Sequence, residues 1–266
     1  MISLPLSPNG RRYGYRKSPV DHRDYGISRA LSHVSIRPGQ VDLESFCGPV
    51  KDQGQLGACT AFAGCGNREY LARKFGHWQP VFSPLFLYYM ERKEDGTLPD
   101  DAGSDGRTSC RVMAKYGICT ESEDIYDPVK FNTAPTPEQL DEAALRKAGA
   151  YHRINSVDDM KSCLASDYPI LIGFAVYESF EKIGSDGLMP APNKDHEQML
   201  GGHETLVIGY DDAKRAFKVR NSWGADWGDK GNFWMPYTVA ADASVLWDAW
   251  MQHLGPAWKP FYSKAD

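Results

Sequence analysis

Cys59 closes a glycine-rich stretch, Gln53-Gly54-Gln55-Leu56-Gly57-Ala58, and Thr60-Ala61-Phe62 opens a helical pattern directly behind it. Aligned peptide dipoles and unpaired N–H groups give a helix N-terminus about half a positive charge. A thiol held there is expected to ionise more readily and to act as a nucleophile. Such a thiol needs an imidazole to take its proton and return it to a leaving amine. His203, in Gly201-Gly202-His203 ahead of a predicted strand over 205–210, is the candidate. The imidazole in turn needs a group that fixes its tautomer. Asn221, in Asn221-Ser222-Trp223-Gly224 at the end of a predicted strand over 216–220, offers an amide oxygen for its ring N–H. Adjacent antiparallel strands would set the two side by side, with Trp223 shielding their bond from water. Gln53 and the Cys59 backbone N–H are placed to stabilise an oxyanion.

The elements that must position these groups divide into two kinds. A helix is expected from Cys59 to about Phe75, stopped by Gly76. Ser83-Pro84 caps and opens a second helix that ends near Asp95-Gly96, and a short third helix covers 108–115. Residues 120–135 read as loop. Thr136-Pro137-Glu138-Gln139 is a capping box, and Ser156–Ser166 reads as another short helix. After Pro169, Ile170–Val176 is a buried strand, followed by strands over 205–210, 216–220 and 232–235. Helices first and strands later predict an α+β fold with a helical lobe against a sheet lobe. The expected division is a basic arm over 1–40, a catalytic body over 41–240 (helical lobe about 50–120, sheet lobe about 121–240), and a C-terminal tail over 241–266 packed on that body. Trp247, Trp250 and Trp258 would do the packing.

The 266 residues carry a net charge of −5, but residues 1–37 hold seven basic groups against two acids, leaving the remainder at −10. A basic arm with tyrosines at 13, 15 and 25 admits a nucleic-acid reading. Docking on its own acidic body is the preferred one. The six cysteines form no Cys-x-x-Cys pair and no zinc-spaced Cys/His cluster, so no metal or other cofactor is expected, and the five besides Cys59 are expected reduced and buried. Asp101, Gly103 and Asp105-Gly106 only faintly resemble a calcium loop, whose twelfth position would be Val112. No apolar run approaches the roughly 20 residues of a membrane helix, and no secretory signal is visible. A cytoplasmic monomer without nucleic-acid or membrane partners is the default expectation, with export by a route that needs no such signal as the alternative.

Taken with their order, these residues resemble the papain-like cysteine peptidases. The signature reads Leu56-Gly57-Ala58-Cys59-Thr60, with His203 144 positions and Asn221 162 positions beyond the cysteine. Gln53-Gly54, Ser83-Pro84 with Leu87-Tyr88-Tyr89, Tyr116-Gly117-Ile118, Gly202-His203, Gly209-Tyr210-Asp211, and Asn221–Gly224 with Trp227-Gly228 follow in family order over residues 41–240. The resemblance implies the two-lobed papain fold, peptide-bond hydrolysis through an acyl-thioester at Cys59, and a peptide or protein substrate. It also implies backbone pairing of substrate with the loop around Gly103 and Ser104, with Gly202 and Trp223 completing the substrate-binding set. The alternatives on the same fold are a thiol acyltransferase or deamidase and an inactive binding module. Three departures stand out. Leu56 replaces a cysteine, so the family's usual disulfide there cannot form. Thr60 replaces an aromatic. Glu204 adds a carboxylate beside the histidine, expected to raise its pKa or to point into solvent. The arm sits where the family keeps a longer pro-segment, and it is expected to act as an intramolecular partner that restrains activity.

Overall fold

The computed structural model describes residues 4–27 and 37–255. Its centre is α1 (Cys59–Phe75), which is buried on nearly every side. Small residues make that possible. A Cβ at Gly64 would meet the Leu87 side chain at 2.9 Å, while one at Gly66 would sit 3.5 Å from Leu206 on the opposite side. Close approach from two directions explains why the helix has no single apolar stripe. Gly76 follows the helix as expected but keeps a right-handed φ of −95°, and the chain reverses at His77 instead, with φ 52°.

Helix α2 (Pro84–Asp95) packs on α1, capped by the Ser83 hydroxyl and ended by Gly96 at φ 69°. Helix α3 (Gly106–Lys115) begins two residues earlier than expected, because the Asp105 carboxylate accepts the Thr108 N–H at 3.0 Å and caps it. The capping box of Thr136 and Gln139 forms and opens α4 (Pro137–Ala144), and Ser156 caps α5 (Val157–Ala165). The expected loop over 120–135 holds one 3-10 turn at Pro128–Lys130.

Seven strands form one antiparallel sheet: β1 (Gln40–Asp42), β2 (Tyr151–Arg153), β3 (Ile170–Tyr177), β4 (Met199–Asp211), β5 (Ala216–Arg220), β6 (Asn232–Pro236) and β7 (Leu246–Gln252). Their order is β2-β7-β3-β4-β5-β6, with β1 added to the far end of β4. Helix α1 lies against β4. The mixed helical and antiparallel architecture is the one expected from the order of elements.

Two differences bear on the site. Strand β4 starts at Met199 rather than Thr205, so His203 lies inside the strand and not before it. Phe174 and Ala175 of β3 supply ladder partners to His203 and Gly202, and that pairing overrides the weak strand preference of the glycines. Residues 246–252, expected as part of a packed tail, form β7 between β2 and β3. Trp250 is buried there, whereas Trp258 lies outside the described residues. All six cysteines are free thiols, and Cys65, Cys110, Cys119 and Cys163 are fully buried in the core.

Candidate active site

Cys59 is the first residue of α1, preceded by Ala58, which offers no side-chain cap. The loop in front of it is stitched to the segment after β5. The Gln53 N–H donates to the Ser222 carbonyl at 2.9 Å, and the Ser222 hydroxyl donates to Gln53 Oε1 at 2.6 Å. Gln53 Nε2 donates to the Leu56 carbonyl at 3.0 Å, and the Gly57 N–H donates to Asp101 at 3.1 Å. The loop carrying Gln53 and leading to Cys59 is thereby held against the remote segment of Asn221 and Ser222.

His203 and Asn221 meet across β4 and the end of β5, with His203 Nε2 2.8 Å from Asn221 Oδ1. That oxygen also accepts the Ser222 N–H at 2.8 Å, which fixes which way the amide faces. Nε2 is therefore the protonated nitrogen, and Nδ1, without a partner among the described residues, carries the lone pair. Trp223 stacks on the imidazole at 5.2 Å between centroids, and Phe174 and Phe180 complete an aromatic wall. The backbone of Glu204, the residue after the imidazole, lies close to the Cys59 thiol and helps its ionised form.

The charge state departs from the sequence expectation. Burial pushes the Cys59 thiol up to about 12, outweighing the help of the helix terminus, and lowers His203 to about 4 despite the Asn221 bond. Both are fully buried, and both are neutral at pH 7 in this state. Glu204 does not point into solvent, and it makes no ion pair among the described residues. It is fully buried, and burial pushes its carboxyl well above the usual range. The Thr60 hydroxyl donates to Glu91 at 2.5 Å, and burial raises Glu91 to about 8. Threonine in place of an aromatic thus ties the first turn of α1 to α2.

What fills the cleft is the arm. Gly14 passes Gly57, Gly103 and Gly202, and a Cβ on Gly103 would lie 1.6 Å from the Gly14 carbonyl. The Tyr15 N–H donates to Gly202 O at 2.9 Å, the Arg16 N–H to Ser104 O at 2.8 Å, and the Ser104 N–H to Gly14 O at 3.0 Å. Tyr13 sets its ring against His203 and Trp223, 6.0 and 6.1 Å between centroids. Ion pairs Arg11–Asp52 and Arg16–Asp95, both 2.6 Å, flank the crossing. The four residues expected to meet substrate, Gly103, Ser104, Gly202 and Trp223, therefore all meet the arm. Sequence reasoning missed Asp248 on β7, which accepts Tyr15 OH at 2.7 Å. Its signal was a lone carboxylate in an otherwise apolar run, Leu246-Trp247-Asp248-Ala249-Trp250.

The fold and site define the papain family of cysteine proteases, whose model matches residues 37–245, and the chain belongs to that family. It is similar to xylellain, a cysteine protease from Xylella fastidiosa, at 32% identity and a TM-score of 0.84, covering 91% of this chain and 96% of that one. An uncharacterized peptidase C1-like protein of Acanthamoeba polyphaga mimivirus is 35% identical over 93% of this chain and 88% of its own length. Oryzain gamma chain of Oryza sativa subsp. japonica is 26% identical, and the match covers 72% of this chain and 52% of that protein. The chain is a cysteine peptidase.

Proposed function

We propose that Cys59 is the nucleophile of this peptidase, His203 its general base and acid, and Asn221 the group that orients the imidazole. The observation that carries the reading is the buried 2.8 Å bond between His203 and Asn221, which leaves Nδ1 free to accept a proton. In the reaction, Nδ1 takes the Cys59 proton, sulfur attacks the scissile carbonyl, and the tetrahedral oxyanion is held by the Cys59 backbone N–H and the Gln53 amide. Collapse expels the amine, which takes the proton back from His203, and water then hydrolyses the thioester by the same base. Substrate lies along Gly103, Ser104 and Gly202, whose backbone groups the arm now uses.

The arm is read as the restraint on this site. It shuts the thiol and imidazole away from water, and the neutral pair is what burial favours over thiolate and imidazolium. Its cations Arg11 and Arg16 engage Asp52 and Asp95 of the body, which supports self-docking over nucleic-acid binding. Catalysis is assigned to the body from residue 41 through β7, acting as a monomer.

The test is labelling with an epoxide-type thiol reagent followed by mass mapping, on the full chain and on one lacking residues 1–38. Labelling at Cys59 alone, lost in His203→Ala and faster without the arm, is expected. No labelling of either form sinks the assignment, and equal rates remove the restraint.

A further inference from the structure

The arm also shows which side chain the cleft is built to receive. Tyr15 is 3% exposed, and its ring fills a slot that exists because position 173, inside the apolar strand β3, is glycine. A Cβ there would stand 1.9 Å from the Tyr15 ring. Trp247 stacks along the slot at 6.3 Å and 24°. Directly across the ladder from Gly173 stands Asp248, whose Oδ2 accepts the Tyr15 hydroxyl at 2.7 Å and the Ser18 N–H at 2.8 Å. Its Oδ1 faces Arg153 at 3.0 Å. One glycine supplies the volume, and the residue opposite supplies the acceptor.

The slot lies next to the place of reaction. Gly14, the neighbour of Tyr15, runs so close to Gly57, two residues before Cys59, that a Cβ would come within 2.2 Å of the Gly57 carbonyl. Successive Cα atoms are about 3.8 Å apart. A side chain in the slot therefore belongs to a residue adjacent to the one over the thiol.

We propose that the slot lined by Gly173, Trp247 and Asp248 is the specificity pocket of this peptidase and selects tyrosine in its substrates, a reading that rests on the function proposed above. When the arm leaves, Asp248 keeps Arg153 but loses both donors to Oδ2. Phenylalanine or leucine would bury that oxygen without a donor, and sites built to bond a hydroxyl reject analogues lacking one. Glu204 is the other ladder neighbour of Gly173, but burial disfavours its charged form, and a lysine or arginine would compete with Arg153 for Asp248, which Arg153 already holds at 3.0 Å. Only a flat phenol satisfies both the stacking face and the acceptor.

The test uses the full chain carrying Gly14→Val, whose side chain has no room beside Gly57 and so expels the arm from the cleft. Fluorogenic peptide amides are compared with Tyr, Phe, Leu or Arg at the residue next to the scissile one. Tyrosine is expected to exceed phenylalanine about ten- to hundredfold in kcat/KM, and Asp248→Leu to bring that ratio near one. Gly173→Ala, which leaves the acceptor intact, is expected to narrow the slot and turn the preference toward leucine. Turnover without a tyrosine preference, or with arginine preferred, overturns the pocket alone. Absence of turnover on every peptide, together with an unlabelled Cys59, overturns the cysteine-histidine assignment and the pocket with it. If Cys59 is labelled but no peptide is cleaved, the slot is an anchor for the arm and not a substrate pocket.

Discussion

His203 has one ring nitrogen committed to Asn221 and one open, and that asymmetry prepares it to act as a base. Gln53 is equally divided. Its amide oxygen and one N–H hold the loop, and the other N–H is available to an oxyanion. Gln53→Ala is expected to lower kcat by about 10²–10³ while KM changes little, the mark of an interaction made in the transition state. Steady-state kinetics on the arm-deleted chain decide this. The imidazole also makes arm docking depend on pH. Its pKa falls from the ordinary 6.5 to about 4 when buried beneath the arm. The docked form thus binds fewer protons in that window, and acid favours release by up to about tenfold for each pH unit lost between 6.5 and 4. Hydrogen exchange at the Tyr15 and Arg16 amides, corrected for intrinsic rates, should lose protection as pH falls through this range. Unchanged protection would mean that the imidazole stays buried whether or not the arm is in place.

At the scale of elements, caps and turn residues were legible because they act locally. Ser83 with Pro84, Thr136 with Gln139, and Ser156 each open the helix expected of them. The start of β4 and the whole of β7 were not legible, since each depends on a ladder partner distant in sequence. Gly202 has no strand preference of its own, and Ala175 supplies its pairing. Strand β7 is buried on both faces, so its apolar run lacks the alternation that marks a half-exposed strand. Helix α1 is the element most sensitive to volume, because Gly64 touches Leu87 and Ser109 while the opposite side abuts β4. Gly64→Val is expected to cost about 1–3 kcal/mol through overpacking. The drop should appear as a lower midpoint in urea unfolding with the slope unchanged. A midpoint within error of the parent would show that α2 can shift away from α1.

For the molecule as a whole, the acidic body and basic arm form a self-complementary pair, and the contacts have unequal weight. Arg11–Asp52 and Arg16–Asp95 lie at the partly exposed rim, where each is worth about 0.2–1 kcal/mol and is screened by salt. Tyr15 and Asp248 lie within and are not screened in this way. Raising ionic strength from about 0.05 to 0.5 M should therefore increase turnover of the full chain only a few-fold, and that of the arm-deleted chain not at all. A large rise, approaching the effect of deletion, would mean that the rim pairs hold the arm and the buried tyrosine does not.

The sequence by itself determined which residues are proposed to react. Cys59, His203, Asn221 and Gln53 could be read from residue type and local setting, because a helix start, a strand end and a glycine turn are short-range features. The charge division between arm and body was likewise a matter of counting. Only the tertiary structure decided that burial favours the neutral thiol and imidazole, since burial depends on what packs around them, and around His203 that is Tyr13 of the arm with Trp223, Phe174 and Phe180. It also decided that Glu204 is buried, and that Gly173 and Asp248 stand opposite one another as a slot. Those properties arise from contacts between segments far apart in the chain, 75 residues in the case of Gly173 and Asp248. No local pattern encodes them, because each strand acquires its neighbours only when the sheet closes.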